Sequence, residues 1–151
     1  MKALIFDMDG TLTPATQPMS EHMARALMKV SSKYKKYLVS GSDYNKITQQ
    51  IPELFLLDNF QTVCACNGTS VFNTDIDETR PDAGDLIHKV ELLDHYSQSD
   101  INHLTSRLLK IASESHTKYK TGTFIEWRDS QINFSVIGRN CSLDQREDYV
   151  K

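Results

Sequence analysis

The chain has 151 residues, 39% of them hydrophobic and 25% charged, with a formal net charge of -3. That length can bury the core of one ordinary domain or two small ones, and the composition excludes wholesale disorder. The acidic balance excludes a general nucleic-acid surface, and no apolar run approaches the roughly 20 residues of a membrane span.

The first element expected is a short buried strand, Ala3–Phe6. It runs into acids too early to serve as a secretory signal. Pro14 and Pro18 punctuate the following loop, and Ser20 caps a helix with Met23, Leu27 and Val30 at helical spacing. A second strand is expected over Tyr37–Ser40, and "GSD" leads into a helix that reaches Ile51 and stops at Pro52. A third strand, Thr62–Ala65, precedes Asn67-Gly68, a dipeptide suited to a tight hairpin, with "TSVF" returning. The alternation of strand and helix predicts a parallel sheet.

The texture changes at "DIDETRPDAGD", which suggests a boundary between 1–81 and 82–151. Beyond it the pattern predicts one helix near Leu86–His95. A second opens at Ser99, with Ile101, Leu104, Leu108 and Ile111 along one face. "GTFIEWRDSQINFSVIG" reads as two strands joined at Arg128–Gln131, the second alternating Ile132, Phe134 and Val136. Ser142 and Gln145 form a capping box that starts a last helix. His22, His88, His95, His103 and His116 show no ligand spacing and suit helix surfaces. Cys64, Cys66 and Cys141 form neither a closed disulfide set nor a zinc framework. They read as reduced cysteines of a cytoplasmic protein, Cys64 and Cys66 as packing residues alternating on a strand. Trp127 is expected to anchor the second half's sheet rather than stack on a ligand.

The chemistry gathers after the first strand. "DMDGT" places Asp7 and Asp9 at the carboxyl end of a parallel strand, where open α/β sheets bind ligands. Two acids this close repel unless a cation or a division of roles separates them. Phosphoryl transfer supplies one: a carboxylate nucleophile beside a carboxyl that moves a proton, with magnesium screening the charge. An ordinary Asp-Gly turn is the simpler alternative. A calcium loop is not, because Leu12 and Pro18 stand where it needs Gly and Glu.

An apolar strand ending in D-x-D-G-T resembles the first motif of the haloacid dehalogenase superfamily. "LVSGSD" is similar to its second, a strand ending in a phosphate-binding hydroxyl. Ser40 is the residue that matches, with Gly41 and Ser42 offering amides at a helix start; a plain helix cap is the alternative for Ser42. With "FDMDGTLTPA", "VSGSDYNKI", "NG" and "GTFIEWRDSQINFSVIGRNCSLDQRE", the chain resembles the eukaryotic-type phosphomannomutases. The resemblance implies an α/β fold: a haloacid-dehalogenase-like three-layer core with an incomplete parallel sheet, and a partial α+β cap. It implies Asp7 as phosphoryl acceptor, Asp9 as acid/base, and Mg2+ held by both. Arg128, Arg139 and Arg146 match the cap arginines that hold the second phosphate of a hexose 1,6-bisphosphate, the activator. It further implies interconversion of mannose 6-phosphate and mannose 1-phosphate, and a homodimer through the cap; composition and charge argue for no nucleic acid and no membrane. A sugar phosphatase, and an inactive phosphosugar-binding or dimerising fragment, are the alternative readings.

Electrostatics agrees with the arginine assignment. Arg146, early in a helix, opposes the macrodipole unless an anion lies near, and guanidinium forks suit phosphate. Two departures from the family stand out. Thr16 occupies a position where the family carries a substrate-binding arginine. The third-motif lysine and the later acidic magnesium ligands have no counterpart in this stretch.

Overall fold

The computed structural model describes residues 2–74, 84–128 and 130–151. The chain divides into two units, one ending at Val90 and the other spanning Glu91–Lys151. The boundary expected at 81/82 lies outside the described residues.

The first unit is built on β1 (Lys2–Asp7), which pairs in parallel with β2 (Tyr34–Val39), itself parallel to β3 (Thr62–Ala65). β3 then pairs antiparallel with β4 (Ser70–Asn73), and β4 with β5 (Leu86–Lys89). Spatial order follows sequence order across these five described strands. Register places Phe6 beside Leu38, Leu38 beside Val63 and Val63 beside Phe72, so one apolar row crosses the sheet. α1 (Glu21–Met28) follows β1; α2 (Tyr44–Gln50) and α3 (Glu53–Asn59) follow β2. Met8, Leu38, Ile47, Ile51, Leu56 and Val63 are fully buried where these elements meet. Each such side chain contributes roughly 1.5–3 kcal/mol by leaving water.

Caps and turns explain where the elements begin. The Ser20 hydroxyl accepts from the Met23 amide at 3.2 Å, as its position before α1 predicts. Asp43, not Ser42, caps α2, accepting from the Lys46 amide at 2.9 Å, which removes the helix-cap reading of Ser42. Pro52 ends one helix but also stands at the start of α3, a helix absent from the sequence reading. β2 begins three residues earlier than expected and ends at Val39, which leaves Ser40 just beyond it. The Asn67-Gly68 turn is a 3₁₀ turn over Cys66–Gly68, with Cys66, Asn67 and Gly68 all at positive φ.

The helix expected near Leu86–His95 is corrected. Leu86–Lys89 is strand β5, bonded to β4 through Val71 opposite His88 and Ser70 opposite Lys89, and a 3₁₀ turn follows at Leu92–Asp94. A four-residue apolar-leaning run carries no clear period, and the free edge of β4 decides it. His88 therefore lies on a strand rather than a helix surface.

In the second unit α4 (Gln98–Glu114) is opened by Ser97 rather than Ser99. The Ser97 hydroxyl accepts from the Asp100 amide, and the Asp100 carboxylate accepts from the Ser97 amide at 3.0 Å. Ser-x-x-Asp completes a reciprocal box two residues before the expected cap. α4 packs on β6 (Ile125–Arg128), which pairs antiparallel with β7 (Gln131–Phe134), Arg128 opposite Gln131. Val136 lies past the end of β7, and Trp127 is substantially exposed, so it anchors the hairpin less than its size suggested. α5 (Leu143–Val150) starts with the Ser142–Gln145 box as read from sequence.

Candidate active site

β1 ends at Asp7, and Met8 and Asp9 follow it directly in the loop. Met8 is fully buried while its neighbours Asp7 and Asp9 are exposed, so one buried methionine fixes two outward carboxylates. The Met8 carbonyl collects the amides of Thr11, Leu12 and Thr13 at 3.2, 2.9 and 3.0 Å, and the Gly10 amide reaches the Thr13 carbonyl at 2.7 Å. Gly10 sits at φ 80, a conformation that costs other residues, and this closes the loop directly after the acids. The Thr11 hydroxyl donates to Asp7 Oδ2 at 3.3 Å, and the Thr16 amide donates to Asp9 Oδ1 at 3.1 Å.

Parallel pairing brings the second motif alongside. Asp7 lies opposite Val39, and Ser40 follows at once, its amide continuing the ladder to the Cys64 carbonyl at 2.9 Å. Ser40 is buried, and its hydroxyl oxygen accepts from the Ser42 amide at 3.1 Å, which leaves its own proton to donate. The Ser40 carbonyl accepts from the Asn67 amide, and the Ser42 carbonyl from the Cys66 amide, both at 2.9 Å. The end of β3 thereby pins the turn of the second motif. A Cβ on Gly41 would come within 3.2 Å of Asn67 Oδ1, so the small residue lets that side chain close in. Burial pushes the Cys64 thiol up from its ordinary value, which keeps it protonated and suits packing rather than chemistry.

Asp7 and Asp9 are hard oxygen donors at a strand end, and among the described residues no group of three or more metal-binding side chains assembles. The pair fits the way Mg2+ is held, by one or two carboxylates completed by phosphate and water, rather than an all-protein cage.

In the second unit the arginines separate. Arg128 ends β6 and donates Nε and Nη2 to Glu126 Oε2 at 2.9 and 2.5 Å. Arg139 Nε approaches the same oxygen at 3.4 Å, and Asn133 Nδ2, across the hairpin, donates to it at 3.3 Å. Arg146 lies on α5 and donates Nη2 to Cys141 Sγ at 3.9 Å, away from that carboxylate. Gly138 sets up Arg139. At φ 85 it packs so closely that a Cβ would stand 2.9 Å from the Gly122 amide nitrogen, and the Arg139 amide donates to the Thr123 carbonyl at 3.1 Å. Sequence reasoning missed Glu126, Asn67 and Gln50. The signal for Glu126 was available: residues 126 and 128 share a face of a strand.

Comparison with known proteins adds to this geometry. A family pattern described as eukaryotic phosphomannomutase matches residues 23–151. Phosphomannomutase 1 of Mus musculus is 34% identical over 96% of this chain and 52% of its own length. The phosphomannomutase of Saccharomyces cerevisiae is 31% identical over 98% of this chain and 54% of its own. The chain thus spans about half the length of the curated relatives it matches. A haloacid dehalogenase-like hydrolase from B. subtilis shares the fold over 73% of this chain and 34% of its own, with a TM-score of 0.51 and 18% identity.

Proposed function

We propose that this chain, which belongs to the eukaryotic phosphomannomutase family, takes part in phosphoryl transfer on hexose phosphates through an aspartyl-phosphate at Asp7. The observation that carries this reading is the position of Asp7 and Asp9 at the carboxyl end of β1, with the Ser40 hydroxyl at the matching end of parallel β2.

An Asp7 carboxylate oxygen attacks phosphorus and the bond from phosphorus to the sugar oxygen breaks. Asp9 gives its proton to that oxygen as it leaves. In the return step Asp9 takes the proton from the accepting hydroxyl of the hexose, and the phosphoryl group passes to it from Asp7. Ser40 and the amide of Gly41 hold the non-bridging oxygens of the phosphate, with Ser42 beside them. Mg2+ held by Asp7 and Asp9 would screen the repulsion between carboxylate and phosphate. Arg128 and Arg139, preset by Glu126, bind a phosphate that does not react through the N–H groups they do not give to Glu126, and Arg146 joins them by leaving its bond to Cys141. A hexose 1,6-bisphosphate carries both kinds of phosphate and serves as the primer; mannose 6-phosphate and mannose 1-phosphate are the substrates the family suggests. A second copy of the chain, joined through the second unit, is the partner.

The test is interconversion of the two mannose phosphates in Mg2+ with the bisphosphate primer. The reading expects Asp7→Asn to abolish interconversion. Turnover that survives Asp7→Asn sinks it.

A further inference from the structure

Gln50, the last residue of α2, is only 8% exposed and sends a polar side chain into the loop that holds Asp9. Three oxygens surround one end of its amide: the Thr13 hydroxyl and the Gln17 carbonyl at 3.0 Å, and Asp9 Oδ1 at 3.3 Å. A carbonyl and an ionised carboxylate can only accept, so the NH2 group occupies that end. The NH2 group has two hydrogens for these three oxygens, so one is shared: the Thr13 hydroxyl shares a hydrogen from Gln50 and donates its own proton to the Met8 carbonyl, 3.3 Å away. The backbone takes part as well, since the Met19 amide donates to the Gln50 carbonyl at 2.8 Å. One residue therefore ties α2 to both ends of the loop after β1.

The consequence falls on one oxygen of Asp9. Oδ1 receives the Gln50 NH2 and the Thr16 amide at 3.1 Å, while nothing among the described residues donates to Oδ2. The loop accepts strain to make this contact: Thr16 stands at φ 60, an unfavourable region for a β-branched residue. We infer that Gln50 is a positioning residue for the acid/base, fixing the Asp9 carboxyl through Oδ1 and leaving Oδ2 to exchange the proton with the sugar oxygen. The inference rests on the reading of Asp9 as acid/base. Without the amide, the carboxyl of an exposed loop residue gains rotational freedom, and a displacement of about 1 Å at a reacting group costs on the order of 100-fold in rate.

A buried glutamine can also be a simple brace for the loop, and two measurements separate the readings. Gln50→Met keeps the length and removes both donors. Rates are compared on mannose 6-phosphate, whose sugar oxygen needs a proton to leave, and on p-nitrophenyl phosphate, whose leaving group does not. Positioning predicts that the ratio of the sugar-phosphate rate to the nitrophenyl rate falls about tenfold or more. Equal losses on both would mean a brace and overturn the inference. In parallel, nitrogen-15 spectra of the unmodified chain and of Asp9→Ala follow the Gln50 side-chain NH2 and the Thr16 amide. Both signals are expected to move; a stationary Gln50 signal contradicts the contact. A wild-type chain that turns over neither phosphate defeats the mutase reading instead, and the spectra then decide the Gln50–Asp9 contact by themselves.

Discussion

Replacing Glu126 by glutamine tests the arginine cluster by itself. The Arg128 side chain is 8% exposed, that of Glu126 26% and that of Arg139 31%. Oε2 of Glu126 takes two N–H groups from Arg128 and one from Asn133, and faces Arg139. Breaking a fully buried ion pair costs roughly 3–5 kcal/mol because the remaining charge stays unpaired. Glutamine keeps the volume and one acceptor oxygen, and partial exposure lets water offset part of the loss, so about 2 kcal/mol is expected. For a chain of this size that corresponds to a Tm lower by about 4–8 °C. Trp127 is the single tryptophan and lies between Glu126 and Arg128 on β6, so its fluorescence during urea unfolding reports on this unit. If the two guanidinium groups bind phosphate, added inorganic phosphate recovers more stability in the variant than in the parent, by mass action. A variant within about 0.5 kcal/mol of the parent would refute the reasoning.

Gly138→Ala places a Cβ against the Gly122 backbone at a positive φ, and a loss of about 2 kcal/mol or more is expected by urea unfolding; no loss would refute the packing argument. Ile47→Ala removes a fully buried side chain from α2 and should cost about 2–5 kcal/mol in the same measurement. Tyr44 is stacked on Phe72 with ring centroids 4.0 Å apart and bonds Glu53 at 3.2 Å; burial first, then the Glu53 charge, pushes its phenol up to about 12 from 10.0. The folded chain holds that proton more tightly, so the contribution is complete below pH 10 and lost as pH rises towards 12. Tyr44→Phe should flatten the fall in stability across that window, and an unchanged fall would assign it to other groups.

The sequence was most legible where local rules and tertiary demands agree. The strand before Asp7, the Ser20 cap and the Ser142–Gln145 box each rest on residues within one turn of one another, and each stands where it was read, except that β1 is a largely exposed strand rather than a buried one, with Ile5 72% exposed. Leu86–Lys89 was misread because its short apolar run acquires a conformation only from β4, a partner the local pattern does not reveal. Pro52 was read as a stop alone, although the same residue suits a helix start. At the site, Asp7, Asp9 and Ser40 were visible as motifs on strand ends. Gln50 was invisible because its role depends on which loop its buried amide meets, 41 positions from Asp9 in the chain (50 - 9). The arginines were assigned from the family resemblance, yet only geometry shows that Arg128 and Arg139 share Glu126 while Arg146 bonds Cys141.

The central claim is that Asp7 accepts a phosphoryl group, and the intact mass of the chain tests it most directly. After brief exposure to hexose 1,6-bisphosphate with Mg2+ and rapid acid quenching, the account predicts a species heavier by one phosphoryl group. Peptide mapping should place it on Asp7, and Asp7→Asn should abolish it. A chain that remains unmodified under those conditions, or that carries the group on another residue, would contradict the account.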